Sequence, residues 1–428
     1  MNSSPTSNGD ADNRLLVLYV PALDRRWLSP ETTPFLRQRL SVRPPVELET
    51  HPSVELLPTL VTGVWPHQHR VWQVRLKSKR PRTIFQKLVD SLPVIWTTTA
   101  QCFYHWLRPG FDLPTVEPRR RRCFEMHRIK LQRRQGGGLD AFDYGGQSTV
   151  FSSLEGQCRY RTIFSFVDAP GGLAPFIDGV PRLDWLEFYA LDLFCHWNLD
   201  CPDAVREKFR QVDTWLRDAV AKAESLGIHV LLVVDHGQEP VRTTVDLPRR
   251  LAETGVPPWE FCWFIEVTNA RFWFFTDRAR TQLGGQLARI PGTRLLSNEQ
   301  LARYHVQFQA ADGFGEAYLI CEPGTAFFPH DFYHPLVNAY MARKTPEQAS
   351  RRRSPVHRGA HGYLPGQPSD TGWLAALDSS LEPLTDKGQL VDVAPTILSI
   401  LGVSPAAAMH GRPLLRRASR GEMGRPPL

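Results

Sequence analysis

Three separated segments of this 428-residue chain each offer histidine, and the first two also offer aspartate. They are residues 192–196, 235–237 and 357–362. Histidine and carboxylate are the usual ligands of zinc and similar divalent ions, and a spacing of four can bring Asp192 and His196 to one ion. Asp235-His236-Gly237 taken alone would serve equally well as a helix cap or a turn. Three such segments, the last ending in His361-Gly362, are better explained by a metal site than by three independent caps.

Apolar runs predict the strands that would position these side chains. Residues 15–20 and 230–234 are apolar without alternation, which is typical of strands buried on both faces. Between them, residues 203–226 place apolar side chains at steps of three and four, which predicts an amphipathic helix. This order predicts an α/β fold with a mainly parallel central sheet and helices on both faces.

Ligands of such sheets bind beyond the carboxyl ends of the strands. Asp235 and His236 directly follow the run 230–234. Two further strand-like runs, 162–167 and 187–191, lead to Asp168 and Asp192. The predicted topology therefore gathers the candidate ligands at one edge of the sheet.

The positive charge is concentrated in one segment. The chain has 51 Lys and Arg against 44 Asp and Glu, a net charge of +7, and residues 75–161 hold 17 basic and 7 acidic side chains, a net +10. This Arg- and Trp-rich segment is interpreted as an irregular basic insertion in a slightly acidic body. Such a flap would steer small anionic substrates to the site. A nucleic-acid partner is not favoured, and the oligomeric state is left open.

Domain limits and location follow from composition. Residues 1–13 are expected to be a disordered tail, 14–415 one α/β domain, and 416–428 a flexible tail. Seven scattered cysteines without a CxxC pair argue against a disulfide framework. The N-terminus lacks the pattern of a signal peptide, and no apolar run approaches the roughly 20 residues that span a bilayer. A cytoplasmic protein without a membrane span is expected.

Motifs in chain order resemble those of the alkaline phosphatase superfamily, and within it the type I phosphodiesterase and nucleotide pyrophosphatase branch. The resemblance extends from about residue 15 to 415. Near the N-terminus it rests on the opening strand with Thr33-Pro34-Phe35-Leu36, and on the nucleophile loop and Thr62-Gly63 motif in residues 51–69. Further along the chain it rests on the three segments named above, which match metal motifs, and on residues 392–402 and 410–415. Their shared order makes the assignment more specific than any single motif.

The resemblance implies a two-metal hydrolase, usually with zinc, in which a Thr or Ser attacks phosphorus. Carried over by position, Asp192, His196 and His361 would hold one metal ion. Asp235 and His236 would hold the other, together with the nucleophile and an Asp at the end of the first strand.

The sequence departs from this pattern at two places. Pro21 stands where the family has its first metal-binding Asp, and only Asp24, three residues on, could substitute if the loop is re-routed. Counting back from Thr62 without gaps assigns the nucleophile to Ser53. Aligning residues 52–54, Pro-Ser-Val, with the family motif would instead place Glu55 at the nucleophile position. The second site therefore keeps Asp235, His236 and Ser53.

The expected function is hydrolysis of phosphate esters, most readily phosphodiester or nucleotide pyrophosphate bonds, with Ser53 as nucleophile. The expected cofactor is a divalent metal, zinc by resemblance, with one or two ions. The alternative is a catalytically degenerate relative that binds a phosphorylated ligand or nucleic acid without turnover. Among the remaining polar residues, His67 and His69 are expected to have structural roles, and His330, Asp331 and His334 are expected to form part of the pocket wall.

Overall fold

The computed structural model describes residues 14–72, 84–107, 115–121, 123–124, 144–154, 156–309 and 312–418. The tail expected at residues 1–13, most of the one expected at 416–428, and much of the basic segment 75–161 lie outside the described residues.

Seventeen strands and thirteen α-helices are formed by the described residues. The strands are β1 (Leu15–Tyr19), β2 (Val46–Glu49), β3 (Cys158–Ile163), β4 (Leu183–Phe188), β5 (His229–Val234), β6 (Glu239–Pro240), β7 (Thr243–Val245), β8 (Phe261–Ile265), β9 (Asn269–Phe274), β10 (Thr293–Leu296), β11 (Ala317–Cys321), β12 (Thr325–Phe327), β13 (Gly359–Ala360), β14 (Gly372–Ala376), β15 (Leu381–Pro383), β16 (Lys387–Gln389) and β17 (Leu415–Arg417). The helices are α1 (Pro34–Val42), α2 (Leu57–Thr62), α3 (Pro66–His69), α4 (Ile84–Ser91), α5 (Val94–Leu107), α6 (Pro118–Arg121), α7 (Ala190–Asn198), α8 (Pro202–Ser225), α9 (Leu247–Glu253), α10 (Asp277–Leu287), α11 (Asn298–Ala302), α12 (Pro335–Met341) and α13 (Val393–Ile400).

The central sheet has seven strands in the order β16-β2-β14-β5-β1-β4-β3. The neighbours β5, β1, β4 and β3 are parallel, and β14 is antiparallel to both β5 and β2. The predicted α/β fold with a mainly parallel sheet is thus confirmed. Because the strands that precede Asp192 and Asp235 run in the same direction, their carboxyl ends meet at one edge.

Both faces of this sheet are covered, as the unbroken apolar runs predict. In β1, Leu16 and Leu18 enter one core cluster, and Leu15 and Val17 enter the cluster on the opposite face. Helix α8 covers the first face with the predicted side chains, which are Val205, Phe209, Val212, Leu216, Val220 and Ala223. The amphipathic helix predicted at 203–226 is therefore confirmed.

Two strand boundaries predicted from the sequence are wrong. β4 ends at Phe188, and residues 190–198 form α7 instead of prolonging a strand over 187–191. β3 likewise ends at Ile163, and a 3-10 turn follows over Phe166–Asp168. The apolar residues after each strand are those of a buried turn, which a short apolar run does not distinguish from a strand.

The sequence also gave no indication of a second sheet, in which β10, β11, β9 and β8 are antiparallel neighbours. In the basic segment, the described residues form helices α4, α5 and α6, and β3 begins before the segment ends. The expectation of an irregular insertion thus misses three helices.

The C-terminal motif is structural in this chain. The carboxylate of Asp392 accepts the backbone N–H of Arg412 at 2.8 Å and that of Gln389 at 2.7 Å. A Cβ on Gly411 would lie 2.2 Å from the carbonyl oxygen of Val391, so only glycine lets the two backbone segments approach this closely.

We therefore expect Gly411→Ala to destabilise the fold. Forcing a methyl group against backbone costs on the order of 1–3 kcal/mol of unfolding free energy or more. Urea denaturation would measure the change. Gly285→Ala in α10 is the matched control, because its Cβ would meet no atom within 4 Å. Equal stability of the two variants would contradict this assignment.

Candidate metal centre

Asp192 lies at the centre of the candidate site. It is buried in the first turn of α7, one turn before His196. Its Oδ2 lies 3.4 Å from Nε2 of His196, and its Oδ1 lies 3.9 Å from Nε2 of His361. Burial raises the pKa of Asp192, but the charges of the surrounding histidines and a hydrogen bond from His196 outweigh burial and hold that pKa far below its ordinary value. The carboxylate is therefore ionised.

His236 joins this group from the end of β5. Asp192, His236 and His361 each offer one ligand atom within 4.8 Å of the others, the one group of three or more potential ligands with this spacing among the described residues. The rings of His236 and His361 stack with centroids 3.6 Å apart. The sequence assigned His236 to a second site with Asp235. In the structure it lies with Asp192 and His361, and His196 lies beside Asp192 outside this group.

Backbone carbonyls orient two of the histidines. Nδ1 of His196 lies 2.9 Å from the carbonyl oxygen of Gly359, and Nδ1 of His236 lies 2.8 Å from that of Gly237. Because a carbonyl oxygen only accepts, each Nδ1 donates its proton, so Nε2 is the ring atom left to bind a metal ion. Burial lowers the pKa of His236, but the charges of Asp235 and Asp192 outweigh burial and raise this pKa above its ordinary value. Burial holds the pKa of His361 well below its ordinary value, so this ring is neutral. Histidines that bind metals are commonly held in this way.

Asp235 is held by a tyrosine of the first strand. The hydroxyl of Tyr19 donates to Asp235 Oδ2 at 2.5 Å, and this Oδ2 lies 3.5 Å from Nε2 of His236. The other oxygen, Oδ1, is buried and has no hydrogen-bond partner. Burial raises the pKa of Asp235 above its ordinary value. A buried carboxylate oxygen without a donor is suited to a cation.

Asp24 is placed beside the site but is occupied by other partners. Its oxygens accept from the backbone N–H of Arg26 at 2.8 Å and from Nη2 of the same arginine at 2.7 Å. The backbone N–H of Gln238 adds a contact of 3.3 Å. A Cβ on Gly237 would lie 2.3 Å from Asp24 Oδ2, so this carboxylate rests directly on the loop after β5. Pro21 itself offers no ligand.

The segment that carries Ser53 packs against the loop that carries His361. A Cβ on Gly362 would lie 3.0 Å from Cγ1 of Val54, the residue after Ser53. Ser53 is buried, and its hydroxyl accepts the backbone N–H of Glu55 at 2.9 Å. The hydroxyl is therefore engaged in a local turn.

Four of the five residues assigned to structural roles or the pocket wall make structural contacts. His69 Nε2 lies 3.0 Å from Oγ1 of buried Thr59, and its Nδ1 accepts the backbone N–H of Val71. Asp331 forms a buried ion pair of 2.7 Å with Arg120. His334 caps α12 through the backbone N–H of Leu336. His330 is buried among Phe328, Phe332 and His357.

Sequence reasoning missed three polar residues. Tyr19 and its contact with Asp235 have been described above. Gln238 donates through Nε2 to Asp192 Oδ1 at 2.6 Å, and its position directly after Asp235-His236-Gly237 was an available signal. Asp370 accepts the backbone N–H of Gly362 at 2.7 Å and the hydroxyl of Ser369 at 2.8 Å, and nothing in its loop sequence marks it.

Asp370 gives the metal-free protein a measurable pH dependence. Burial raises its pKa to about 6, against the opposing hydrogen bonds and the charge of His236. In the unfolded chain the pKa of this carboxyl is about 3.9, so at a pH between the two pKa values folding takes up a proton. Its contribution to stability is complete below the unfolded pKa and is lost as pH rises through about 6.

We therefore expect Asp370→Asn to flatten the pH dependence of unfolding in chelator-treated protein. Asparagine still accepts from Gly362 but does not titrate. From about pH 4 to 6, wild type should lose up to roughly 3 kcal/mol of unfolding free energy relative to the variant. Urea denaturation across this range measures the difference, and parallel curves would contradict the assignment.

The donor set fits a divalent cation. It combines an ionised carboxylate, three imidazoles of which two are oriented by backbone carbonyls at Nδ1, and a second carboxylate with a bare buried oxygen. Nitrogen and carboxylate donors in this combination suit zinc-type ions.

Neither a family model nor a curated protein matches the sequence, but solved structures match its fold. Murine ectonucleotide pyrophosphatase/phosphodiesterase 5 has a TM-score of 0.60 at 12% sequence identity, covering 92% of this chain and 96% of that chain. An inactive variant of the murine protein in complex with AMP gives the same figures. The human protein has a TM-score of 0.61 at 12% identity, covering 93% and 97%. The expected alkaline-phosphatase-like fold is confirmed.

Proposed function

We propose that this chain, which has the fold of the ectonucleotide pyrophosphatase/phosphodiesterase structures, is a divalent-metal-dependent hydrolase of phosphate esters. The observation that carries the proposal is the buried group of Asp192, His236 and His361 at the carboxyl edge of the sheet. One structure of the same fold binds AMP, which favours a small phosphate ester as ligand. Phosphodiester or nucleotide pyrophosphate bonds are the proposed targets.

Zinc is the proposed ion. Asp192, His196 and His361 would hold it tightly, and Asp235 and His236 would contribute to a second, weaker site. When bound, such an ion supplies a Lewis acid that lowers the pKa of a hydroxyl nucleophile and stabilises charge on the leaving oxygen. One tight ion is favoured because the two carboxylates of the second site already have partners. The Tyr19 hydroxyl donates to Asp235 Oδ2, and Arg26 forms an ion pair with Asp24.

Ser53 is the proposed nucleophile. Its Oγ would form the bond to phosphorus as the bond to the leaving oxygen breaks, and water would then release the phosphoryl group from serine. For this step the hydroxyl must give up its hydrogen bond with Glu55. Gln238 would keep Asp192 oriented through the bond to Oδ1.

A second candidate function is binding of a phosphorylated ligand or nucleic acid without turnover. It is favoured by Pro21, which removes one carboxylate, and by the turn that engages the Ser53 hydroxyl. This function predicts salt-sensitive binding that survives Asp235→Ala.

A cytoplasmic location is also proposed. The six cysteines whose side chains the structure describes form no disulfide with one another, which suits a reducing compartment. Within the described residues, none of the helices combines the length and apolar character needed to cross a bilayer.

A panel of esters tests the proposed function. We expect release of product from an aryl phosphodiester, loss of that release with a chelator, and its recovery on adding zinc. Turnover of no ester by protein that holds its metal would overturn the hydrolase proposal in favour of binding alone.

A further inference from the structure

Cys123 and Cys262 come from distant parts of the chain and meet in a small apolar cluster. Cys262 lies in β8 and is buried with Phe264 and Trp273, and half-buried Cys123 packs against this cluster. A side-chain hydrogen bond links the two thiols. Two cysteines whose thiols are in contact meet the first requirement of a disulfide, which is the close approach of their side chains.

The residues before and after Cys123 are fixed on β8. Nη1 of Arg120 donates to the carbonyl oxygen of Trp263 at 2.9 Å, and the guanidinium lies over the Trp263 ring, 4.4 Å from its centroid. The backbone N–H of Cys123 donates to the carbonyl oxygen of Arg120 at 2.9 Å. The ring of Phe124 meets that of Phe264 edge to face, with centroids 5.5 Å apart. These contacts hold Cys123 against β8, where Cys262 lies.

The two thiols differ in their access to solvent. Cys123 is partly exposed, whereas Cys262 has no exposed surface. Burial and the contact with Cys123 raise the pKa of Cys262, and the nearby positive charge of Arg120 opposes this shift. A partly exposed thiol beside a second thiol that can resolve it is the arrangement of cysteines that react with peroxide. Cys123 is therefore the thiol that meets a dissolved oxidant.

We propose that Cys123 and Cys262 are a site of reversible oxidation, at which a peroxide converts the two thiols to a disulfide. The sulfur of the Cys123 thiolate attacks one peroxide oxygen, the O–O bond breaks, and the leaving hydroxide takes up the thiol proton as water. Cys123 is then a sulfenic acid. Cys262 loses its proton, its sulfur attacks the sulfenic sulfur, and the S–O bond breaks with release of a second water. The two sulfur atoms together lose two electrons, and the peroxide is reduced to water.

The disulfide fastens the segment that carries α6 to the second sheet. Cys123 follows α6 in the chain, and Cys262 lies in β8 of that sheet. Cellular thiols reverse the bond by exchange, so a reducing compartment keeps the pair as thiols between oxidation events. The proposal is independent of the proposed hydrolase, because neither cysteine belongs to the candidate metal centre.

Peptide mapping of the full-length chain tests the proposal. Reduced protein is treated with hydrogen peroxide under native conditions, alkylated, and digested without reductant. We expect a pair of peptides joined through Cys123 and Cys262, lighter by two hydrogen atoms than the separate peptides. Untreated protein should lack this pair, and dithiothreitol should release it.

A matched pair of variants assigns the cross-link. Cys123→Ser should abolish it, because the serine hydroxyl is not oxidised by peroxide. Cys158→Ser is the control, because Cys158 is also partly exposed but contacts the carbonyl oxygen of Phe151 at 3.5 Å. This control should keep the yield of the joined peptides within about 2-fold of wild type. The mapping of wild type depends on neither variant.

Urea denaturation measures the fastening of the segment. Oxidised wild type should have a higher urea midpoint than reduced wild type, because a cross-link between distant residues restricts the unfolded chain. Cys123→Ser should have the same midpoint before and after treatment with peroxide.

Three results would overturn the proposal. They are oxidation of Cys123 to sulfinic acid without a cross-link, a disulfide that joins Cys123 to a cysteine other than Cys262, and a Cys123–Cys262 cross-link that leaves the urea midpoint unchanged or lowers it.

Discussion

Asp192→Asn is expected to remove the proposed metal ion and with it the proposed hydrolytic activity. Asparagine has nearly the same shape and still accepts the hydrogen bond from Gln238, so the fold is kept while the central negative charge is lost. Loss of an outer partner of a metal ligand already costs roughly 10- to 100-fold in affinity or activity. Loss of the ligand charge itself should cost more than this. Competition with a chromogenic zinc chelator measures the affinity, and aryl phosphodiester turnover measures the activity.

Two further variants make this result specific. His361→Ala should reproduce the loss, because His361 belongs to the same group. Asp331→Asn alters a buried carboxylate that pairs with Arg120, so it should lower stability without lowering zinc affinity. Zinc affinity unchanged in Asp192→Asn would show that the ion, if bound, lies elsewhere.

Ser53→Ala is expected to abolish turnover while the protein keeps its metal. Removal of an attacking hydroxyl from a covalent mechanism lowers kcat by large factors, and we expect at least about 1,000-fold. The variant also loses the turn contact with Glu55, which contributes only about 1 kcal/mol to stability. Single-turnover assays and metal analysis of the same sample separate the two effects.

The controls for Ser53 address the alternative alignment. Ser53→Thr retains a hydroxyl and should keep measurable turnover, while Glu55→Gln should have a small effect. A reversed pattern, with Glu55→Gln inactive and Ser53→Ala active, would transfer the essential role to Glu55.

Sequence patterns predicted the parts of the fold whose periodicity is strong. The observed ends of β1, β5 and α8 each lie within one residue of the predicted ends. Unbroken apolar runs and a repeat of three and four are compatible with few other structures. The end of β4 was misplaced, since Ala190 and Leu191 are as apolar in the first turn of α7 as they would be in a strand.

The candidate site was predictable in its members but not in its contacts. Asp192 and Asp235 follow parallel strands and so meet at one edge of the central sheet, whereas His361, more than 160 residues after Asp192, follows β13, which pairs with β6 outside that sheet. That Tyr19 would bond Asp235 depends on the pairing of β1 with its neighbours, and that Asp24 would pair with Arg26 depends on the turn after Pro21. Such long-range and loop contacts have no local signal in the sequence.

The most direct test of the central claim is the metal content of the purified chain, measured by elemental analysis after saturation with zinc and removal of excess ion. One zinc ion per chain is the expected result, because Asp192, His196 and His361 can hold it while Pro21 and the Tyr19–Asp235 contact weaken a second site. A chain that retains no divalent ion would contradict the account.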